Sequence, residues 1–119
     1  MKTILVIEDD ADNREVFREI LKGQRYFVSL AASMPTVRYV TMMRPDLILL
    51  DHWVGNGLGS HFCRQLKADP DTKHIPVVFI SAHCDVERLA EQCGANSAIA
   101  KPFDVEHFIS AVQQALSKH

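Results

Sequence analysis

Long apolar stretches are missing from this sequence. Met1-Lys2 is followed only by Thr3 to Ile7 before the acidic run Glu8-Asp9-Asp10, so neither a signal peptide nor a membrane span is expected and the chain reads as cytoplasmic. An excess of charge of one sign is lacking too. Lys and Arg number 13 against 15 Asp and Glu, the formal net charge is −2, and the basic residues are scattered, which gives no reason to expect direct contact with nucleic acid. Cysteine is sparse: Cys63, Cys84 and Cys93 form an odd set without CxxC spacing, so neither a disulfide framework nor a thiolate metal site is suggested, and a reducing compartment suits them. With five glycines and five prolines there is no Pro/Gly-rich linker, internal repeat or low-complexity tract.

What is present is enough for one core. Hydrophobic residues make up 47% of the 119 positions and charged residues 24%, too apolar for a disordered chain and about the size of one domain, expected over 1–119. Five short apolar runs recur: Ile4-Leu5-Val6-Ile7, Phe27-Val28-Ser29-Leu30-Ala31, Leu47-Ile48-Leu49-Leu50, Val77-Val78-Phe79-Ile80 and the weaker Ala98-Ile99-Ala100. The first, third and fourth are continuous rather than alternating, as strands buried on both faces of a parallel sheet are.

Between the runs the apolar spacing turns helical. Val105, Phe108, Ile109, Val112 and Leu116 form a stripe that reads as core, on a helix capped by Asp104; Val16, Phe17, Ile20 and Leu21 form another that should close at Gly23. Further helices are expected over about 34–43, 59–68 and 85–93, the second stopped before Asp69-Pro70. Strand then helix, five times, with right-handed crossovers, predicts a doubly wound α/β fold with helices on both faces of a five-stranded parallel sheet. Ligands in such sheets bind beyond the C-terminal ends of the strands.

Those ends carry unusual residues. Strand one runs into Glu8-Asp9-Asp10, strand three into Asp51, strand four into Ser81 and strand five into Lys101-Pro102. Two carboxylates about 4 Å apart repel by roughly 4 kcal/mol at an effective dielectric of 20, which a divalent cation relieves. Oxygen donors alone favour a hard ion, and Mg²⁺ commonly keeps positions open for water and substrate oxygens. An Asp beside it can attack phosphorus to give an acyl phosphate, with Lys101 and the Ser81 hydroxyl meeting the charge on the phosphoryl oxygens.

The fragments Ile4-Leu5-Val6-Ile7-Glu8-Asp9-Asp10, Pro45-Asp46-Leu47-Ile48-Leu49-Leu50-Asp51, Ser81-Ala82 and Lys101-Pro102-Phe103 resemble, in order, the motifs of receiver domains of the two-component response-regulator family. The resemblance spans nearly the whole chain, and four weak motifs at the right strand ends make a specific signal. It implies a flavodoxin-like sheet of order 2-1-3-4-5, with Asp51 as phosphoacceptor. Glu8 and Asp9 would be the acid pair for Mg²⁺, joined by Asp51 and the backbone carbonyl of Trp53. Ser81 would be the hydroxyl that moves toward the phosphate, Lys101 its ion-pair partner, and Lys101-Pro102 a cis peptide. The implied donor is a sensor histidine kinase or phosphotransfer protein, and the output a contact with a downstream protein. A monomer or weak dimer is expected. No effector segment follows residue 119, so the chain reads as a stand-alone switch unless it is one piece of a longer protein.

Several positions depart from the pattern. Gly55 and Leu58 stand where the family usually has Pro and often Asp, and Gly55-Asn56-Gly57-Leu58-Gly59 reads as a flexible loop rather than a phosphate cradle, since it lacks the Lys-Ser/Thr of a P-loop. Ala98 replaces the aromatic residue whose rotation accompanies Ser/Thr movement, and the shorter interval from Ser81 to Lys101 predicts a trimmed fourth helix or preceding loop.

Other residues take plainer readings. His52 and His83 could line the pocket mouth but read as solvated; His61, His74, His107 and His119 lack ligand spacing and read as surface. Trp53 could cover the site or pack on its own loop, and Cys84 and Cys93 read as small helix-facing hydrophobes ahead of redox sensors.

Three rivals remain. A haloacid-dehalogenase-type phosphatase needs a second Asp where Trp53 stands. A flavodoxin-like cofactor binder needs a phosphate loop where Glu8-Asp9-Asp10 would repel the phosphate. A degenerate receiver would keep the fold as an unphosphorylated interaction module, which the intact Asp51, Lys101 and acid pair oppose.

Overall fold

The computed structural model describes residues 1–54, 57–82 and 85–117, without the side chains of residues 53, 54 and 57. The expectations for Gly55, Asn56, His83, Cys84, His119 and the Trp53 ring therefore lie outside what is described.

Five strands, β1 (Thr3–Ile7), β2 (Phe27–Ala31), β3 (Leu47–Asp51), β6 (Val77–Ser81) and β7 (Ser97–Ala100), form one parallel sheet in the order β2-β1-β3-β6-β7. Counted in chain order along that sheet, this is the predicted 2-1-3-4-5. Two short strands, β4 (Trp53–Val54) and β5 (Gly57–Leu58), pair antiparallel just after β3. Of the segment read as a flexible loop, Gly57 and Leu58 are strand β5 and Gly59 opens a helix.

The helices are α1 (Ala11–Gly23), α2 (Val37–Met43), α3 (Gly59–Ala68), α4 (Val86–Cys93) and α5 (Val105–Ser117). Alternation along the buried strands divides the core between the two faces. Ile4, Val6, Leu49 and Val78 pack with Phe17 and Leu21 of α1 and Phe108 and Val112 of α5. Leu5, Ile7, Leu50 and Phe79 pack on the other side with Val40 of α2, Phe62 and Leu66 of α3 and Ala90 of α4. Continuous apolar runs are thus needed in β1, β3 and β6, whereas the edge strand β2 leaves Phe27 62% exposed.

Local chemistry sets the helix ends. Asp10 caps α1 by accepting from the N–H groups of Asp12 (2.8 Å) and Asn13 (3.3 Å), Thr36 caps α2 through Tyr39 (3.0 Å), and Asp104 caps α5 through His107 (2.7 Å). The cap at Thr36 starts α2 at Val37, later than the predicted 34, and α4 starts at Val86 rather than 85. α3 stops at Ala68, with Asp69 extended ahead of Pro70 as expected.

Two expectations fail in detail. α1 does end at Gly23 as expected, but Gly23 is not the left-handed residue: that is Arg25, at φ 66°, whose N–H donates to the Lys22 carbonyl (3.0 Å). The apolar stripes are also not wholly core. Val16 is 49% and Val105 50% exposed, because each lies at the rim of its helix's buried face while Phe17 and Phe108 occupy the centre.

Candidate phosphoacceptor site

The register of the sheet brings the strand exits together. Ile7 pairs with Leu50, so Glu8 leaves β1 beside Asp51 at the end of β3; Asp51 pairs with Ile80, so Ser81 follows one residue further along β6. Ser81 in turn pairs with Ala100, and the Lys101 N–H donates to the Ser81 carbonyl at 2.9 Å. Residues scattered over 94 positions of the chain therefore meet at one sheet edge.

Glu8, Asp9 and Asp51 offer three carboxylate oxygens that all lie within 4.8 Å of one another. Glu8 is buried at 1% exposure and Asp51 at 8%, while Asp9 is exposed. Lys101 Nζ lies 3.1 Å from Glu8 Oε1 and 3.3 Å from Asp51 Oδ2, bridging the two buried acids. One ammonium cannot neutralise three carboxylates, and the excess is felt by Glu8. Burial, then the hydrogen bond and the charge of Asp51, push its carboxyl up to about 6, against the pull of Lys101 and of the Asp10 N–H. Burial works to lower the Lys101 ammonium, but the charge of Asp51 and the hydrogen bond and charge of Glu8 outweigh it and the net direction is up.

A hard divalent cation fits this donor set. The donors are oxygens only, one of the three acids is open to solvent, and the charge left after Lys101 is negative.

Some of the machinery is not legible in the acidic motif itself. Asp10 is committed to capping α1, so it is not one of the clustered acids. The Arg14 guanidinium reaches back from the first turns of α1 to the backbone carbonyls of Glu8 (2.9 Å) and Asp9 (2.8 Å), which fixes the acid pair's backbone, and Asn13 Nδ2 donates to Glu8 Oε1 at 3.5 Å. The Lys101 ammonium lies 5.9 Å from the centre of the Phe17 ring, which stacks with Phe108 and lies 5.8 Å from Phe103. The available signal was spacing: a helix starting three residues after Glu8 returns its first turns over the strand exit.

The remaining expectations divide. Lys101-Pro102 is cis. Trp53 opens β4 two residues after Asp51. His61, His74 and His107 are exposed, but His52 is buried, with its ring 6.1 Å from that of Phe79, so the solvated reading of His52 is corrected. The backbone turns there to join β3 to the ribbon, and the Gly59 N–H donates to the His52 carbonyl at 2.6 Å. Ala98 lies on β7, half-buried.

A doubly wound sheet of this order with an acid cluster and a lysine at its strand exits defines the class as a receiver-type signalling domain. The model of the response regulator receiver domain family matches residues 4–113, and the chain belongs to that family. It is similar to the polar-differentiation response regulator DivK of Brucella anthropi, 29% identical over 97% of this chain and 96% of that protein. Among solved structures it resembles the receiver domain of a signal transduction histidine kinase from Syntrophus aciditrophicus, with TM-score 0.90, 30% identity, and coverage of 99% of this chain and 92% of that one. It also resembles the receiver domain of a sensor histidine kinase from Pseudomonas aeruginosa, which has a magnesium ion coordinated in its active-site cleft, with TM-score 0.87, 26% identity and 98% coverage of both chains. Among the described residues no helix is long and apolar enough to cross a membrane.

Proposed function

We propose that this receiver domain takes a phosphoryl group on Asp51 from a phosphohistidine of a sensor kinase or phosphotransfer protein, in a Mg²⁺-dependent reaction, and signals by changed contacts with a partner protein. The observation that carries the reading is the convergence of Glu8, Asp9 and Asp51 oxygens within 4.8 Å beside the Lys101 ammonium. Glu8, Asp9, Asp51 and the Trp53 backbone carbonyl would hold the ion. Bound there, Mg²⁺ supplies charge neutralisation to the attacking carboxylate and the transferring oxygens.

The chain's own residues do the rest. An Asp51 carboxylate oxygen attacks phosphorus while the bond to the donor imidazole breaks and that nitrogen regains its proton. Lys101, already 3.3 Å from Asp51 Oδ2, stays within reach of the acceptor and balances the phosphoryl charge. Ser81, on the neighbouring strand, donates its hydroxyl to a phosphoryl oxygen, and its displacement carries the signal toward α4 and β7. With Ala98 in β7, that displacement proceeds without the family's aromatic partner.

Incubation with acetyl phosphate and Mg²⁺ followed by intact mass tests the reading. One added phosphoryl group, lost in Asp51→Asn and on chelation of the metal, is expected; no addition to the folded wild-type chain makes it an unphosphorylated interaction module instead. The two kinase-derived relatives favour a second setting for the same chemistry, as one domain of a longer response regulator or hybrid kinase.

A further inference from the structure

The fold pairs two thiols that the sequence keeps 30 positions apart. Cys63, in the middle of α3, and Cys93, the last residue of α4, are both buried in the same apolar cluster. The Cys63 thiol donates to the Cys93 carbonyl at 3.4 Å, and the Cys93 thiol donates to the Ala90 carbonyl at 3.5 Å, so each thiol lies against the same turn at the end of α4. Neither is engaged in a disulfide.

We propose that Cys63 and Cys93 are a redox-modification site, a dithiol that a small two-electron oxidant of the hydroperoxide class closes to a disulfide joining α3 to α4. The inference is independent of the phosphoryl reading, since neither cysteine belongs to the acid cluster.

Two features favour reaction at Cys93 first. Its thiol is brought down to about 7, chiefly by its pairing with the Cys63 thiol and against burial, with help from the Ala95 N–H and the charge of Arg64, while Cys63 is pushed up by the same pairing. Its position is the second. α4 ends there, and exposed Gly94 turns the chain at φ 84° directly after it. A last helical turn opens readily, which admits a molecule as small as peroxide.

The chemistry balances. The Cys93 thiolate attacks one peroxide oxygen, the O–O bond breaks and hydroxide leaves, giving a sulfenic acid. Cys63 gives its proton to that hydroxide, its sulfur attacks the Cys93 sulfur, and the S–O bond breaks as a second hydroxide leaves and takes up the proton that Cys93 released to solvent on forming its thiolate. Over both steps the thiols lose two protons and two electrons and the peroxide becomes two waters.

The test treats folded wild-type protein and Cys84→Ser with hydrogen peroxide, blocks remaining thiols, and maps the peptides. The expected result is a loss of two hydrogens, a peptide linking Cys63 to Cys93 in both proteins, reversal by dithiothreitol, and no such link when the chain is oxidised in denaturant. Free, alkylatable Cys63 and Cys93 after treatment, sulfinic acid that dithiothreitol does not reverse, or a link involving Cys84 in the wild type each overturns the proposal.

Discussion

Lys101 sets the electrostatic balance at the strand exits, and Glu8 registers it. Glu8 is raised to about 6 first by burial and then by Asp51, so removing the Asp51 charge should release part of the shift. In metal-free Asp51→Asn, the Glu8 carboxyl followed by ¹³C NMR should titrate closer to its ordinary 4.5 while staying above it, because burial persists. A Glu8 midpoint unmoved by that substitution would mean that Asp51 is not its close neighbour. This arrangement was only partly legible beforehand. The types of Glu8, Asp9, Asp51 and Lys101 and their places after strands pointed to the cluster, but the commitment of Asp10 to a helix cap depends on side-chain direction, which no one-dimensional pattern carries.

Among the elements, two glycines on helices behave oppositely. At Gly59, where α3 opens against the end of β3, an added Cβ would collide with the Asp51 carbonyl oxygen and lie 3.0 Å from the His52 Cα and 3.1 Å from the Phe79 ring. Two of those three atoms are backbone and cannot yield cheaply, so Gly59→Ala should cost roughly 1–3 kcal/mol and disturb the strand exit that carries Asp51. At Gly23 the helix face is open, with nothing within 4 Å of an added Cβ. Gly23→Ala should stabilise by about 0.5–1 kcal/mol, through the lower entropy of the unfolded chain. Urea midpoints of the two variants check both signs, and a stabilising Gly59→Ala would refute the tight packing of α3 on the β3 exit. Spacing alone located both helices; it did not distinguish a glycine required by contact from one that is merely tolerated.

For the molecule as a whole, the acid cluster should link stability to pH and, under the proposed function, to metal. Because Glu8 rises from 4.5 to about 6 on folding, the native state holds a proton between those values that the unfolded chain has released. Its contribution is complete below the lower value and is lost as pH rises through the upper one, an amount of about 1–2 kcal/mol. Metal-free protein should therefore lose stability from this group as pH rises across that window, opposite to the usual behaviour of a carboxylate. Mg²⁺ should restore it where the cluster is ionised, since a ligand bound only by the folded state raises the melting temperature. Thermal unfolding with and without Mg²⁺ should show a larger shift at about pH 7.5 than at about pH 5. Equal shifts at the two values would separate metal binding from the ionised cluster.

The order of strands and helices follows from local pattern, since burial on both faces demands continuous apolar runs and amphipathic helices demand their own spacing. The linear sequence therefore determined the fold class, and the residue types that follow each run determined the chemistry available at the sheet's edge. Tertiary packing decided what those residues do to one another. Only the register of β1, β3, β6 and β7 joins Lys101 to Glu8 and Asp51, only the first turns of α1 aim Arg14 at the acid pair's backbone, and only the contact of α3 with α4 pairs Cys63 with Cys93. Such meetings depend on three-dimensional distance between residues far apart in the chain, which local pattern does not encode.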